Sequence, residues 1–217
     1  MHICPLIRNF ALMEKANSSD IAFHTPAFTS ENVILVDAEY VDKVVFSLTV
    51  NFERMLGRRI PQADLATWLE CAAMDGGLRE GSNVTQVVLM HDGSRGQMEN
   101  FVPGTFSELD GIAFNGRLGE FLISCVKVEE TMVSKEQLFC ESLQVVASSE
   151  DVKRLTVAGD TENSLSPIRK ALAAANPDMH ITLLTMQPVT GGNFRQDMLG
   201  YSLMAALGIR AEEIQPR

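Results

Sequence analysis

The 217 residues are enough for one sizeable domain, and the 46% of apolar residues can fill its core, so a disordered chain is excluded as the default. The net charge of −10, from 18 Lys and Arg against 28 Asp and Glu, argues against broad binding of phosphate backbones. No apolar run approaches the roughly 20 residues of a membrane span, and four dispersed cysteines without CxxC spacing are typical of reduced thiols. We therefore expect a cytoplasmic protein that contacts no membrane.

Strand and helix patterns alternate along the chain. Residues 1–31 show no sustained hydrophobic period and are predicted to form a mobile N-terminal arm, followed by one α/β domain over residues 32–217. Buried strands are predicted where short apolar or β-branched runs occur, at 33–37, 84–90, 121–128, 154–158 and 180–185. Helices are predicted at 41–55, from 60 to about 74, and at 134–147, 168–175 and 198–207.

Alternation of this kind indicates right-handed crossovers and a doubly wound, mostly parallel five-stranded sheet with helices on both faces. The Gly- and Pro-rich stretch at 93–120 is predicted to be a long connection that covers the edge of the sheet or forms a lid. In such a fold the carboxyl ends of all strands lie along one edge, and ligands bind there, where the strand order switches.

Two acidic residues follow directly on predicted buried strands. Asp37 ends the run Val33-Ile34-Leu35-Val36, and Asp160 follows the strand at 154–158. If these strands are neighbours, a divalent cation shared between the two carboxylates would offset their repulsion, and Mg²⁺ or Mn²⁺ suits an oxygen-only site. The structural alternative is that each Asp only caps a helix or closes a turn, and we weigh the two interpretations equally.

The order of these acidic residues resembles the NYN branch of the PIN-like nucleases. That group has a first strand ending in Asp, an acidic residue on a mid-chain helix, and a later strand running into a Ser-Gly-Asp-Ser-Asp-Phe-like segment. Here the corresponding positions are Asp37, Glu141 (with Glu136 as an alternate), Asp160 and Glu162, in a match over residues 32–187. The family's first motif carries an Asn where this chain has Tyr40.

The resemblance implies a function as well as a fold. It implies a ribonuclease with catalytic Asp37 and Asp160, in which Asp37, Glu141, Asp160 and Glu162 hold Mg²⁺ or Mn²⁺ and RNA is the partner. The cation would activate water for attack on a phosphodiester.

Two alternatives use the same scaffold. The segments Asp37-x-Glu39-x-Val41 and Gly159-Asp160-x-x-x-Ser164 also resemble haloacid-dehalogenase-like phosphatases, in which the first Asp is a nucleophile and the second acidic residue a general acid or base. A non-catalytic interaction module is the other alternative. Its protein partner, or a second copy of the chain, would contact apolar surface on the helix at 198–207 or on the segment 101–114.

Overall fold

A computed structural model describes residues 28–129 and 134–214. The strands in these ranges are β1 (Asn32–Asp37), β2 (Ala63–Asp64), β3 (Asn83–Asp92), β4 (Phe101–Val102), β5 (Ala113–Gly116), β6 (Gly119–Val128), β7 (Arg154–Ala158), β8 (His180–Thr185) and β9 (Arg195–Met198). The helices are α1 (Ala38–Leu56), α2 (Leu65–Asp75), α3 (Phe106–Leu109), α4 (Lys135–Ala147), α5 (Leu165–Leu172), α6 (Leu199–Ala206) and α7 (Ala211–Ile214).

Seven of these strands form one sheet in the order β5-β6-β3-β1-β7-β8-β9. All neighbours in it are parallel except β5, which pairs antiparallel with β6, and β2 pairs with β4 separately. The α/β class and the mostly parallel sheet are confirmed, but the prediction of five strands was wrong. The two additional strands, β5 and β9, are four-residue edge strands without a buried face, so they lack the apolar runs by which strands are recognised.

Two apolar clusters pack against the main sheet. Ile34 and Val36 of β1 belong to a cluster that contains the buried residues of α1, α2 and α6. Val33 and Leu35 belong to a second cluster, which contains the buried residues of α4 and α5. Because successive side chains of a strand point to opposite faces, these clusters lie on opposite sides of β1.

Local sequence explains where the helices begin. Asp37 is both the last residue of β1 and the N-cap of α1, and Gly57 ends α1 in a left-handed conformation with φ of 66°. Helix α2 begins at Leu65 and not near residue 60 as predicted. Asp64 is its N-cap and accepts a 2.7 Å hydrogen bond from the Thr67 N–H, while Ala63 and Asp64 pair as a strand with β4.

The remaining predictions fall partly outside the described residues. Residues 1–27 of the predicted arm lie outside them, whereas the carbonyl of Glu31 accepts hydrogen bonds from the N–H groups of Lys153 and Arg154. The predicted connection at 93–120 contains β4, α3 and β5, and β5 forms one edge of the sheet. None of the helices in the described ranges has the length and apolar character needed to cross a bilayer.

Candidate functional site

A cavity of about 430 Å³ lies at the carboxyl ends of β1 and β7. In the sheet, β3 lies on one side of β1 and β7 lies on the other. The cavity is therefore at the switch in strand order, which is where α/β sheets bind ligands. Its charged lining residues are Asp37, Glu39, Lys43, Lys135, Glu136 and Asp160. The structure thus brings the two predicted catalytic residues to one pocket.

Asp37 lies at the base of the pocket and is 7% exposed. Its Oδ1 accepts a 3.1 Å hydrogen bond from the N–H of Tyr40, which is the capping interaction of α1. Oδ1 also accepts a hydrogen bond from Nζ of Lys135. Burial raises the pKa of Asp37 above its usual 3.8, and the Lys135 ammonium and the Tyr40 N–H oppose this rise only in part.

Lys135 connects the two acidic residues of the first motif. Its ammonium contacts Asp37 and lies 2.6 Å from Oε2 of Glu39. The other oxygen of Glu39 accepts a 3.0 Å hydrogen bond from the N–H of Asp92 at the end of β3. Burial alone would lower the pKa of Lys135, but the carboxylates of Asp37 and Glu39 raise it above 10.5, so Lys135 is held as a cation.

Asp160 closes the turn that follows β7. Its Oδ1 accepts hydrogen bonds from the N–H groups of Glu162 at 3.1 Å and Asn163 at 3.0 Å, and its Oδ2 accepts one at 2.7 Å from Nδ2 of Asn163. The preceding residue is Gly159, where a Cβ atom would lie 2.7 Å from the Phe139 ring. The Gly-Asp pair therefore has a structural reason in close packing and turn formation.

Tyr40 occupies the position at which the resembling nucleases carry Asn. It lines the pocket, is 5% exposed, and its hydroxyl has no hydrogen-bond partner among the described residues. Burial raises the pKa of Tyr40 to about 12; the nearby Thr161 hydroxyl opposes the rise, and Glu162 and Asp160 add to it. A buried hydroxyl without a partner is uncommon in proteins.

Of the other predicted metal ligands, Glu141 and Glu162 are not among the residues that line the pocket. Glu141 is on the exposed side of α4 and accepts a 2.8 Å hydrogen bond from Nε2 of Gln137, and Glu162 is exposed and does not line the pocket. Glu136, the alternate to Glu141, is exposed but does line it.

The fit of a divalent cation depends on which carboxylate oxygens are available. Within residues 28–129 and 134–214, no three His, Cys, Asp or Glu side chains are grouped as a metal site. The oxygens of Glu39 and Asp160 already accept hydrogen bonds from the chain, and the ammonium of Lys135 takes the cation position beside Asp37. In this arrangement the residues do not fit a shared Mg²⁺ or Mn²⁺ site.

Lysines of the pocket were missed by sequence reasoning, which followed the acidic residues. Lys135 is the first residue of α4, directly after the N-cap Ser134, whose hydroxyl accepts a 3.2 Å hydrogen bond from the Gln137 N–H. This helix start agrees with the helix predicted at 134–147. A lysine in the first turn is unfavourable for the helix dipole, and that conflict was the available signal for a tertiary partner.

The apolar segments considered as partner surfaces are largely internal. In α6, Leu199 and Leu203 are fully buried, whereas Tyr201 is 71% exposed. In the segment 101–114, Phe101 and Phe106 are buried and Ile112 is half exposed.

Comparison with curated proteins and with solved structures yields no match. A family model described as a family of unknown function, DUF6621, matches residues 27–214, which includes every element of the main sheet and the whole pocket. The chain therefore belongs to the DUF6621 family.

Proposed function

We propose that this protein is a PIN/NYN-like domain that binds a ligand in the pocket without a divalent cation, and that it is a binding module and not a metal-dependent ribonuclease. One observation carries this proposal: the ammonium of Lys135 lies between Asp37 and Glu39. A cation between these carboxylates would have to displace a lysine that is itself held in its charged form.

The strand order supports the PIN/NYN-like part of the proposal. Without the two short edge strands, the sheet consists of five parallel strands in the order β6-β3-β1-β7-β8. Apolar clusters on both sides of β1 contain helices from the two halves of the chain, as expected for a doubly wound sheet.

The test is metal binding measured together with RNA cleavage. We expect titration calorimetry with Mn²⁺ to show no saturable binding to the wild-type protein, and single-stranded RNA to stay intact in the presence of Mn²⁺. Lys135→Met frees the carboxylates of Asp37 and Glu39, so this variant should gain Mn²⁺ binding. Lys43→Met is the matched control, because Lys43 lines the same pocket but forms no ion pair within the described residues.

The competing hypothesis is that the protein is a metal-dependent ribonuclease. Mn²⁺-dependent cleavage by the wild-type protein that is lost in Asp37→Asn would overturn the binding-module proposal and establish the nuclease.

A phosphatase is the second candidate, because Lys135 contacts both acidic residues of the first motif. Lys135 contacts the first and third residues of the Asp37-x-Glu39 motif, which in the phosphatase resemblance are the nucleophile and the general acid or base. Release of p-nitrophenol from p-nitrophenyl phosphate by the wild type, and its loss in Asp37→Asn, would establish this activity. No release by either protein would leave the binding module.

A further inference from the structure

The acidic residues of the pocket are paired mostly within the chain. Both oxygens of Glu39 are engaged, by the Asp92 N–H and by Lys135. Both oxygens of Asp160 accept hydrogen bonds from the turn that follows it, and Oδ1 of Asp37 accepts two. Most of the acceptor capacity of these three side chains is therefore used before any ligand arrives.

The groups left over in the pocket are mainly donors. Nζ of Lys43 has no partner among the described residues, and Lys135 uses two of its three N–H groups. The Tyr40 hydroxyl has no partner there either, and the Ser164 side chain makes no capping hydrogen bond, although these residues are 5% and 9% exposed. Two nearly buried hydroxyls and two ammonium groups thus line one cavity with donors to spare.

Helix N-termini add to this set of donors. The N-cap residues of α1, α4 and α5, which are Asp37, Ser134 and Ser164, all line the cavity. Each helix N-terminus carries about half a positive charge and N–H groups without intrahelical partners. Asp37 already caps α1, whereas Ser164 makes no side-chain capping bond, so the N–H groups of Leu165 and Ser166 lack a cap; Pro167, the third residue of α5, has no N–H.

We infer that the pocket binds the phosphate group of a small phosphate monoester, through Lys43, Lys135, Tyr40, Ser164 and the N-terminus of α5. This inference rests on the proposed binding function and names the chemical class of the ligand. A phosphate supplies only acceptor oxygens, which complement the spare donors. The cavity of about 430 Å³ accommodates a ligand of nucleotide size, and Phe139 and Ile168 give it an apolar wall for the remainder of the molecule.

Two carboxylates in the pocket oppose this ligand. Those of Glu136 and Asp160 line the cavity without an ion pair in the described structure, and each repels a phosphate. This repulsion provides a test in which the affinity should increase. Glu136→Gln should bind the phosphate more tightly, whereas variants that remove a donor should bind it more weakly.

The experiment is calorimetric titration with AMP, adenosine and inorganic phosphate, in EDTA so that divalent cations play no part. We expect AMP to bind at least tenfold more tightly than adenosine, and inorganic phosphate to compete with it. Ser164→Ala and Lys43→Met should each weaken AMP binding about tenfold, the loss expected for one hydrogen bond to a charged group. Glu136→Gln should strengthen it severalfold. Lys170→Met is the control, since Lys170 lies in the last turn of α5, away from the pocket, and its replacement should change nothing.

Equal affinities for AMP and adenosine, or no binding of either, would overturn the phosphate inference. These outcomes are independent of the Mn²⁺ and RNA assays, which test whether the protein is a metal-dependent ribonuclease. If AMP binds and also releases phosphate, the anion site is supported and the binding-module proposal fails in favour of a phosphatase.

Discussion

At the scale of single residues, the pocket is organised around a lysine among carboxylates. The Lys135 side chain is 17% exposed, and those of Asp37 and Glu39 are 10% and 18% exposed, so the three charges are largely removed from water. Burying charges costs several kcal/mol per ion unless each is paired and hydrogen-bonded. Lys135 therefore offsets a cost that the two acidic residues would otherwise impose on the fold, whatever the pocket binds.

The buried hydroxyl of Tyr40 leads to a prediction about stability. Because this hydroxyl has no partner among the described residues, Tyr40→Phe removes a desolvation cost, and we expect the free energy of unfolding at pH 7 to rise by about 1 kcal/mol. Urea denaturation measures this. In the same variant AMP binding should weaken, because a donor is lost. A decrease in stability of 1 kcal/mol or more would show that the hydroxyl has a partner in the ligand-free protein.

Alkaline pH provides a check on the same residue. The folded-state pKa of Tyr40, about 12, lies above its usual 10.0, so the folded protein holds this proton more tightly than the unfolded chain. The wild type therefore loses stability as the pH rises from 10 towards 12, and Tyr40→Phe lacks this contribution. The pKa of Lys135 is also raised, so this residue stabilises the fold below pH 10.5 and its contribution is lost above that pH. This effect is the same in the wild type and in Tyr40→Phe. The stability difference between the two proteins should grow above pH 10.

At the scale of elements, the pocket is built from the starts of three helices. The strand ending in Asp37, the strand before Asp160 and the capping position Ser134 were all predictable, because local patterns determine each of them. The contact of Lys135 with Asp37 joins residues 98 positions apart, and no local pattern encodes it. Glu141 was assigned to the site because of its place in the order of acidic residues along the chain. It lies on the exposed side of α4, which that order does not encode.

Helix α1 is also fixed to the loop before β4, through Asp42. This residue is 6% exposed, and its carboxylate accepts hydrogen bonds from the N–H of Asn100 at 2.8 Å and from its Nδ2 at 3.1 Å. Asp42→Ala leaves these donors without a charged acceptor, so we expect a loss of about 2–3 kcal/mol in the free energy of unfolding by urea. Asp178→Ala, at an exposed position, is the control and should change the stability by less than about 0.5 kcal/mol. Equal effects of the two substitutions would contradict an anchoring role for Asp42.

At the scale of the whole molecule, the net charge of −10 means that acidic groups outnumber basic ones. Asp75, at the end of α2, is one of them: burial and the nearby Asp197 raise its pKa to about 6, while Arg195 opposes this rise. At this carboxyl group the folded protein therefore binds more protons than the unfolded chain between pH 4 and 6, and the contribution of Asp75 to stability falls as the pH rises through that range.

Asp75→Asn should remove this loss. We expect the variant to be more stable than the wild type at pH 7.5 by about 1 kcal/mol, after allowance for the partial exposure of Asp75, and equal to it near pH 4. Thermal or urea unfolding at the two pH values measures the difference. If the difference is the same at both, the titration of Asp75 does not contribute to stability; Asp178→Asn controls for the removal of one negative charge.

The architecture of the sheet was predictable only in its central part. The buried central strands are short apolar or β-branched runs, and their parallel arrangement follows from the alternation of strands and helices. The edge strand Arg195–Met198 contains Arg195, Gln196 and Asp197, a composition that indicates a loop. Its strand geometry comes from pairing with β8, which is a tertiary effect.

The double role of Asp37, as the end of β1 and the N-cap of α1, has a consequence for the evolution of the family. Selection for folding alone is enough to retain this aspartate, so its presence in other members would not distinguish an active protein from an inactive one. Lys135 has a structural role of the same kind, because it offsets the burial of the carboxylates of Asp37 and Glu39. Lineages that lost the lysine would also have to lose Glu39 or gain another cation, and substitutions at these two positions should therefore occur together in the history of the family.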